Sequence, residues 1–324
     1  MAGVGRRGFL RTVTAGTALA AGTAAASGAA SAAVPAASRA ARRHDGGGGA
    51  AFTWLGTAGW RVEAGEHVLL VDPYLSRYDT GMWTGGFRAG TGLTVAADTV
   101  DTHTAGARTV LVTHTHWDHF NDVPHIATTT GARVIGTLST YNAARAMSVP
   151  TGQLSTVKGG EVLEFDAFSV EVVASLHSRN PSWSVLFPGV LTAPPAPPET
   201  VADLPEGDTL AFQVTVRGGP SVFFMGASDF VERNVAGLAP DVAMIAVQSS
   251  EATHDYVPRL LEALDRPATI VPVHWDNFEV PLVNPPRVPD ADTRRRLTEF
   301  TDAVRRVAPR SRLLMPEYLT PYTF

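Results

Sequence analysis

The sequence predicts an α/β protein in which two β-sheets are sandwiched between helices, a four-layer αββα arrangement. Three observations carry that expectation. Short apolar runs rich in Val, Ile, Phe and Thr recur at strand length. Strands come first, and helical periodicity enters between the later ones, an order that pairs sheets and then covers them with helices. The residues best able to bind metal stand directly after apolar runs, where ligands carried on strand ends belong.

In chain order, strands are expected at residues 52–55, 60–63, 67–71, 109–112, 133–135, 161–165, 168–174, 209–216, 221–225, 242–247 and 269–273. Helical patterns fit residues 123–130, 139–147, 256–264 and 290–307. The last is the clearest: Asp290 or Asp292 can cap it, and Leu297, Phe300, Val304 and Val307 fall at helical spacing. One segment breaks the rhythm. Residues 178–208 contain Asn180-Pro181-Ser182-Trp183, Phe187-Pro188-Gly189 and Pro194-Pro195-Ala196-Pro197-Pro198. A loop this long is uncommon in a compact domain and is often functional. It is expected to act as a lid or substrate-pocket wall, with Trp183 and Phe187 as apolar contacts; a passive surface excursion is the alternative. A second aromatic loop, residues 74–87, holds Tyr78, Trp83 and Phe87. It could form the opposite wall, although loop aromatics more often pack beneath their loops.

The densest chemical signal is His114-Thr115-His116-Trp117-Asp118-His119, which follows the apolar run Thr109-Val110-Leu111-Val112-Thr113. Imidazole and carboxylate are the ligand types of zinc, iron and manganese sites. In an extended segment His114, His116 and Asp118 would share one face, with His119 turned inward by the following loop. Asn121 or Asp122 then offers a helix N-cap, with Pro124 in the first turn. One zinc takes three or four ligands. Four candidates in six residues, with more downstream, point to two metals.

This string resembles the signature motif of the metallo-β-lactamase fold hydrolases. The resemblance extends over residues 51–320. Thr53-Trp54-Leu55-Gly56-Thr57-Ala58-Gly59-Trp60 and Val68-Leu69-Leu70-Val71-Asp72-Pro73-Tyr74 are similar to the family's first strands and their acidic residue. By resemblance the next metal histidine is His177, the bridging aspartate Asp229 in Gly226-Ala227-Ser228-Asp229, and the last histidine His274. The opening and the Gly-Ala-Ser-Asp form look most like the branch of ascorbate-6-phosphate lactonases and N-acyl-phosphatidylethanolamine phospholipase D. His116 stands where oxygen-reducing diiron relatives usually carry Glu.

The resemblance implies the metallo-β-lactamase fold and two divalent cofactor ions, with zinc favoured and manganese or iron fitting the same ligands. It assigns His114, His116 and His177 to one ion, and Asp118, His119 and His274 to the other, with Asp229 bridging. It implies a metal-bound hydroxide attacking a carbonyl or phosphoryl centre. Asp118 is the catalytic candidate, orienting the nucleophilic water. Asp72 is expected to fix a ligand imidazole, or else to be a turn residue before Pro73. Asp229 has a plainer alternative as cap of the segment starting at Phe230. His254 is carried as a pocket candidate, although Thr253 to Asp255 also reads as a helix start. The implied substrate is a small molecule or lipid-like compound, either a phosphodiester or phospholipid-like head group or a lactone. A β-lactam or other ester or amide, and a non-catalytic metal- or ligand-binding protein on the same fold, are the alternatives.

Composition bounds the rest. The chain has 324 residues, no cysteine and a formal charge of -5. Disulfides and thiolate ligands are excluded, and an acidic chain argues against nucleic acid as a partner. Gly5-Arg6-Arg7-Gly8-Phe9-Leu10-Arg11 resembles a twin-arginine export signal, followed by an Ala/Gly/Thr-rich run too short and weakly apolar for a membrane span. Residues 1–33 are therefore expected to be a signal peptide read by the twin-arginine export machinery, delivering the protein outside the cytoplasm. Residues 34–50 read as a flexible linker, and residues 51–324 as one hydrolase domain. Loss of the three signal arginines would leave the mature chain at about −8.

Overall fold

A computed structural model describes residues 49–324. The expected signal peptide and nearly all of the expected linker lie outside these residues. Ala50 does not belong to a linker: it already pairs with Ala64 in the first strand.

Two seven-stranded mixed sheets carry the fold. The first is built from β1 (Ala50–Gly56), β2 (Gly59–Ala64), β3 (His67–Val71), β4 (Ala107–Leu111), β5 (Arg133–Gly136), β6 (Leu154–Thr156) and the distant β14 (Pro321–Tyr322). Its order is β14-β1-β2-β3-β4-β5-β6. The second contains β7 (Val162–Glu164), β8 (Phe168–Ala174), β9 (Leu210–Val216), β10 (Ser221–Met225), β11 (Val242–Ala246), β12 (Thr269–Val273) and β13 (Arg312–Leu313), ordered β13-β12-β11-β10-β9-β8-β7.

Period-two alternation explains how the sheets pack. In β3, Leu69 and Val71 face the core between the sheets, while Val68 and Leu70 face the outer layer. A strand buried on both faces is a continuous apolar run, as His67-Val68-Leu69-Leu70-Val71 nearly is. The inter-sheet core includes Phe52, Trp54 and Trp60 from the first sheet and Phe212, Phe224 and Val271 from the second. The first sheet's outer face packs on α1 (Ala97–Thr104), α3 (Val123–Thr130) and α4 (Leu138–Ala146) through Val100, Ile126 and Ala143. On the second sheet, α6 (Tyr256–Ala263) contributes Leu260 and Leu261, and α7 (Ala291–Val307) contributes Phe300 and Val304. The expected αββα sandwich is the fold observed.

Local signals explain several helix ends. Asp290 caps α7 by accepting from the Thr293 N–H at 2.7 Å. Thr137 caps α4, and α3 ends on Gly131 in the left-handed region, where glycine carries no Cβ penalty. Asp122 sits at the N-cap position of α3 with Pro124 in its first turn, but its side chain makes no capping bond. Its buried carboxylate instead accepts from Leu75 N at 2.6 Å, Ser76 N at 3.0 Å and Asn121 Nδ2 at 2.7 Å. It therefore holds the 74–78 loop.

Chain direction brings the site together. In the second sheet β8, β10, β11 and β12 run the same way, and in the first so do β3 and β4. Their carboxyl ends open on one edge, the place where α/β sheets present ligands. Asp72, His114, His177, Asp229 and His274 each stand just beyond one of these ends. No described helix is long and apolar enough to cross a membrane.

Candidate metal centre

Six side chains form two groups at that edge. His114, His116 and His177 offer nitrogen atoms within 4.8 Å of one another, and Asp118, His119 and His274 do the same with two nitrogens and a carboxylate oxygen. Both triplets are the ones expected from the sequence. The extended-strand explanation is corrected, however. β4 ends at Leu111, and Trp117–Phe120 winds into the single-turn helix α2. A helical turn, and not strand alternation, separates Asp118 and His119 from His114 and His116. The histidine-rich string simply contains too few apolar residues to show that change of period.

Hydrogen bonds fix which nitrogen four of the five rings present. His119 Nδ1 lies 2.8 Å from Asp72 Oδ2, so it carries the hydrogen and Nε2 presents a lone pair. His116 Nε2 meets the Leu186 carbonyl at 2.7 Å, and His177 Nδ1 meets the Ser178 carbonyl at 2.7 Å. Carbonyls only accept, so His116 Nδ1 and His177 Nε2 are the free acceptors. Thr113 Oγ1 donates to Asp72 Oδ2 at 2.5 Å and is therefore left to accept from His114 Nδ1 at 3.1 Å. That leaves His114 Nε2 as a buried lone pair without a protein partner. Asp72 also takes the Thr113 N–H at 2.7 Å. One carboxylate thus orients a histidine of each group.

These residues fit metal ions. His119 Nε2 and His274 Nε2 approach to 3.3 Å, and His274 Nε2 is 3.1 Å from Asp118 Oδ2. Two imidazole nitrogens and a carboxylate oxygen converging in buried space form a donor set that suits a cation between them. Burial, reinforced by His119 and His177, holds His114 well below the ordinary histidine pKa. Burial also pushes His116 down to about 4, against the partial opposition of Asp118. His177 is held well below its ordinary value by burial and His116. Three neutral imidazoles are the form a metal requires. Burial alone would raise Asp118, but His119 and His274 outweigh it and hold the carboxyl well below the usual range. Burial would lower His119, but Asp118 and Asp72 raise it.

Asp229 is not drawn into either group. Its Oδ1 accepts from the Phe230 N–H at 2.9 Å, and its backbone bridges to Leu176; the alternative of a helix cap is not realised either, since the next helix begins at Glu232 with Val231 at its N-cap position. Burial raises its pKa.

A cleft of about 240 Å³ opens above the two groups. The long loop does wall it, but through Ser178, Asn180, Ser184 and Leu186. Trp183 is 67% exposed and does not line it. Phe187 lies one layer back, against Phe87 and Trp117 with ring centroids at 5.8 and 6.4 Å. His254 is also outside the cleft, exposed beside Asp255 just before α6. The pocket assignments of Trp183, Phe187 and His254 are therefore corrected. Amphipathic aromatics in a Pro-rich loop gave no sign of which face they would turn inward. On the other wall Met82 reaches the cleft, while Trp83 and Phe87 pack beneath, on Phe278 and Trp117.

Supporting residues went unseen in the sequence. Arg77 and Asp276 form a buried ion pair at 2.7 Å. Asp276 also takes the Thr57 N–H at 3.0 Å and the Tyr318 hydroxyl at 2.8 Å. The Thr57 carbonyl in turn accepts from His274 N at 2.8 Å, where His274 stands at φ 57°. This cluster fixes a ligand in a strained backbone conformation. Asp276, two residues after His274, was its one visible sign. Gly226 is required for another reason: a Cβ there would meet Thr113 Oγ1 at 2.6 Å and Asp72 Oδ2 at 2.7 Å.

Comparison with known proteins agrees with the geometry. The family model for the Beta-lactamase superfamily domain matches residues 51–274. The chain is 25% identical over 235 residues to a UPF0173 metal-dependent hydrolase of Agrobacterium fabrum, covering 71% of this chain and 86% of that one. A UPF0173 metal-dependent hydrolase of Pyrobaculum calidifontis is 28% identical over 234 residues, covering 71% and 85%. Among solved structures, Igni18, a metallo hydrolase of Ignicoccus hospitalis, superposes with a TM-score of 0.53 at 17% identity, covering 85% of this chain and 98% of that one.

Proposed function

The chain belongs to the Beta-lactamase superfamily domain family and is a metal-dependent hydrolase of that superfamily; from that premise we propose a two-metal enzyme, exported, that cleaves a lactone or a phosphodiester-like substrate. The observation that supports two ions is the pair of complete three-ligand groups sharing the floor of one cleft. His114, His116 and His177 would hold one ion, and Asp118, His119 and His274 the other. Their histidine-rich character favours zinc, while manganese and iron accept the same donors.

When bound, the ions would supply Lewis-acid activation of a water and of the substrate's carbonyl or phosphoryl oxygen. The chain's own residues do the rest. Asp72 holds His119 directly and His114 through Thr113, so neither ring can rotate away from its lone-pair direction. Asp118, ionised and lining the cleft, would orient the attacking water through its carboxylate. Met82, Leu186 and Phe278 supply the apolar part of the cleft lining. Asp229 joins the site as a bridging ligand only if its carboxylate leaves the Phe230 amide.

Export rests on the string Gly5-Arg6-Arg7-Gly8-Phe9-Leu10-Arg11. Retention of the Arg6→Lys/Arg7→Lys chain in the cytoplasm, with the unaltered chain outside it, is the expected fractionation result. For the chemistry, metal-loaded protein is offered matched lactone, phosphodiester and β-lactam reporters, with a chelator control. Chelator-sensitive cleavage of the lactone or the phosphodiester is the expected result. Cleavage of the β-lactam alone would overturn the substrate class, and no cleavage by fully loaded protein would leave a metal-binding protein on a hydrolase fold.

A further inference from the structure

The lining of the cleft is of two kinds. Met82, Trp117, Leu186 and Phe278 are apolar. Ser178, Asn180, Ser184, Gln248 and Ser249 are polar and uncharged. Among the described lining residues, ionisable side chains are confined to the two metal-binding groups, and neither lysine nor arginine is present. An anionic group placed away from the ions would lose its water and meet no countercharge, an arrangement that binding sites avoid.

The polar part is built to hold something specific. Arg296 on α7 binds Glu251 through Nη2 at 2.7 Å and Nε at 2.9 Å, and its Nη1 faces Gln248 Oε1 at 3.5 Å. A guanidinium only donates, so the amide oxygen is the atom turned to Arg296. Both hydrogens of Gln248 Nε2 are then left for the cleft. Ser178 is fixed as well. Ser228 Oγ donates toward the Gln248 carbonyl at 2.6 Å and toward Ser178 Oγ at 2.9 Å, its one hydrogen serving both. Ser178 Oγ also accepts the Ser228 N–H at 2.7 Å, so its own hydroxyl hydrogen is what it has left to offer. The polar wall thus presents donors at both Gln248 and Ser178.

We propose that the substrate is uncharged outside its scissile group. It carries acceptor oxygens, one held by the Gln248 carboxamide and one by the Ser178 hydroxyl. Arg296 is a positioning residue that acts through Gln248. The inference rests on the hydrolase reading and selects within it. It excludes substrates with a second phosphate or carboxylate remote from the bond that breaks, such as a phosphorylated sugar lactone.

The test uses matched pairs: a hydroxymethyl lactone and its phosphate ester, and a glycerol nitrophenyl phosphodiester with and without a second phosphate. For the class that metal-loaded full chain cleaves, the neutral-tailed member should have a kcat/KM at least about 10-fold higher. Gln248→Ala should raise KM for that member several-fold, with kcat and the bound metal measured by elemental analysis unchanged. Arg296→Ala should move KM the same way, and Arg296→Lys should restore part of it. Gln248→Arg should narrow the gap between the members. Equal or better cleavage of the doubly anionic member, or an unmoved KM in Gln248→Ala, overturns this inference and leaves the hydrolase reading standing. Absence of cleavage of every reporter by fully loaded protein removes both.

Discussion

Asp72 Oδ2 accepts the Nδ1 hydrogen of His119 at 2.8 Å, and the same carboxylate governs His114 through the hydroxyl of Thr113. The two metal-binding groups therefore share one support. An asparagine there has a single acceptor oxygen for three donors, and its NH2 opposes one of them. Asp72→Asn should lower metal affinity by about 10- to 100-fold, the usual effect of losing such a partner. Because both groups depend on Asp72, loss of both ions is expected, measured by competition with a chromogenic chelator. Loss of one ion alone would show that Thr113 does not transmit the constraint.

Gly226 tests the same support from the opposite side. Its ideal Cβ would lie 2.6 Å from Thr113 Oγ1, 2.7 Å from Asp72 Oδ2 and 3.1 Å from His119 Cε1. None of these atoms ends a flexible chain, since each is held by the hydrogen bonds just described. Gly226→Ala should cost about 1–3 kcal/mol of stability, the range for overpacking, and should reduce bound metal. Thermal unfolding with and without chelator separates the two effects. Wild-type metal content in a folded Gly226→Ala chain would mean that the centre is looser than these distances state.

Asp118 carries the chemical prediction. Asp118→Asn preserves size and one acceptor oxygen but removes the charge that would orient the water and hold one ion. Turnover of the cleaved reporter should fall by about 10²–10⁴-fold, with far-UV circular dichroism unchanged and bound metal measured alongside. Turnover within a factor of two of wild type would remove Asp118 from the proposed mechanism.

How much of this was legible in the sequence follows from physics. Six of the seven expected ligands are brought together because each was marked twice, by residue type and by its place after a β-type run. Asp229 bore the same two marks, yet its carboxylate turned to the neighbouring Phe230 amide, and short-range hydrogen bonds of this kind leave no periodic trace. β6, β13 and β14 were missed because two- or three-residue strands carry too little alternation to read. So was α1, whose sequence Ala-Asp-Thr-Val-Asp-Thr-His-Thr is poor in helix formers and buries only Val100 and Thr104. Arg77 was illegible for a different reason. Its partners Asp276, Asn277, Val280 and Tyr318 are two hundred or so residues away in the chain and meet it only after the sheets have closed.

The metal-free protein should lose stability as pH falls. His114, His116 and His177 are held below the ordinary value of 6.5, His116 at about 4. Above 6.5 they are neutral folded or unfolded, and they cost nothing. Between 6.5 and 4 the unfolded chain takes up protons that the folded chain refuses, so folding weakens steadily with acid. His119 is shifted upward, and its contribution is complete below its unfolded value and lost only as pH rises through its folded value. It therefore does not offset the acid limb. Urea midpoints of chelator-treated protein should fall continuously from pH 6.5 to pH 4. A flat profile over that window would mean that the three rings are solvated in the metal-free state.

The buried pair Arg77–Asp276 gives the strongest structural prediction. The two side chains are 2% and 0% exposed, and breaking such a pair by removing one partner costs about 3–5 kcal/mol because the other charge stays buried. Arg77→Met should therefore destabilise the fold by roughly that amount. The effect should also reach the metal centre by a traceable route. Asp276 holds Thr57 N, Thr57 O holds His274 N, and His274 needs that hold to keep φ at 57°. Released, the backbone would relax toward negative φ and carry the imidazole away from Asp118 Oδ2, now 3.1 Å distant. The group containing His274 should then bind its ion more weakly, while the group of His114, His116 and His177 keeps its own. Calorimetric titration with zinc should resolve one weakened and one unchanged site in Arg77→Met; equal weakening of both would place the damage in the general fold and not in the His274 turn.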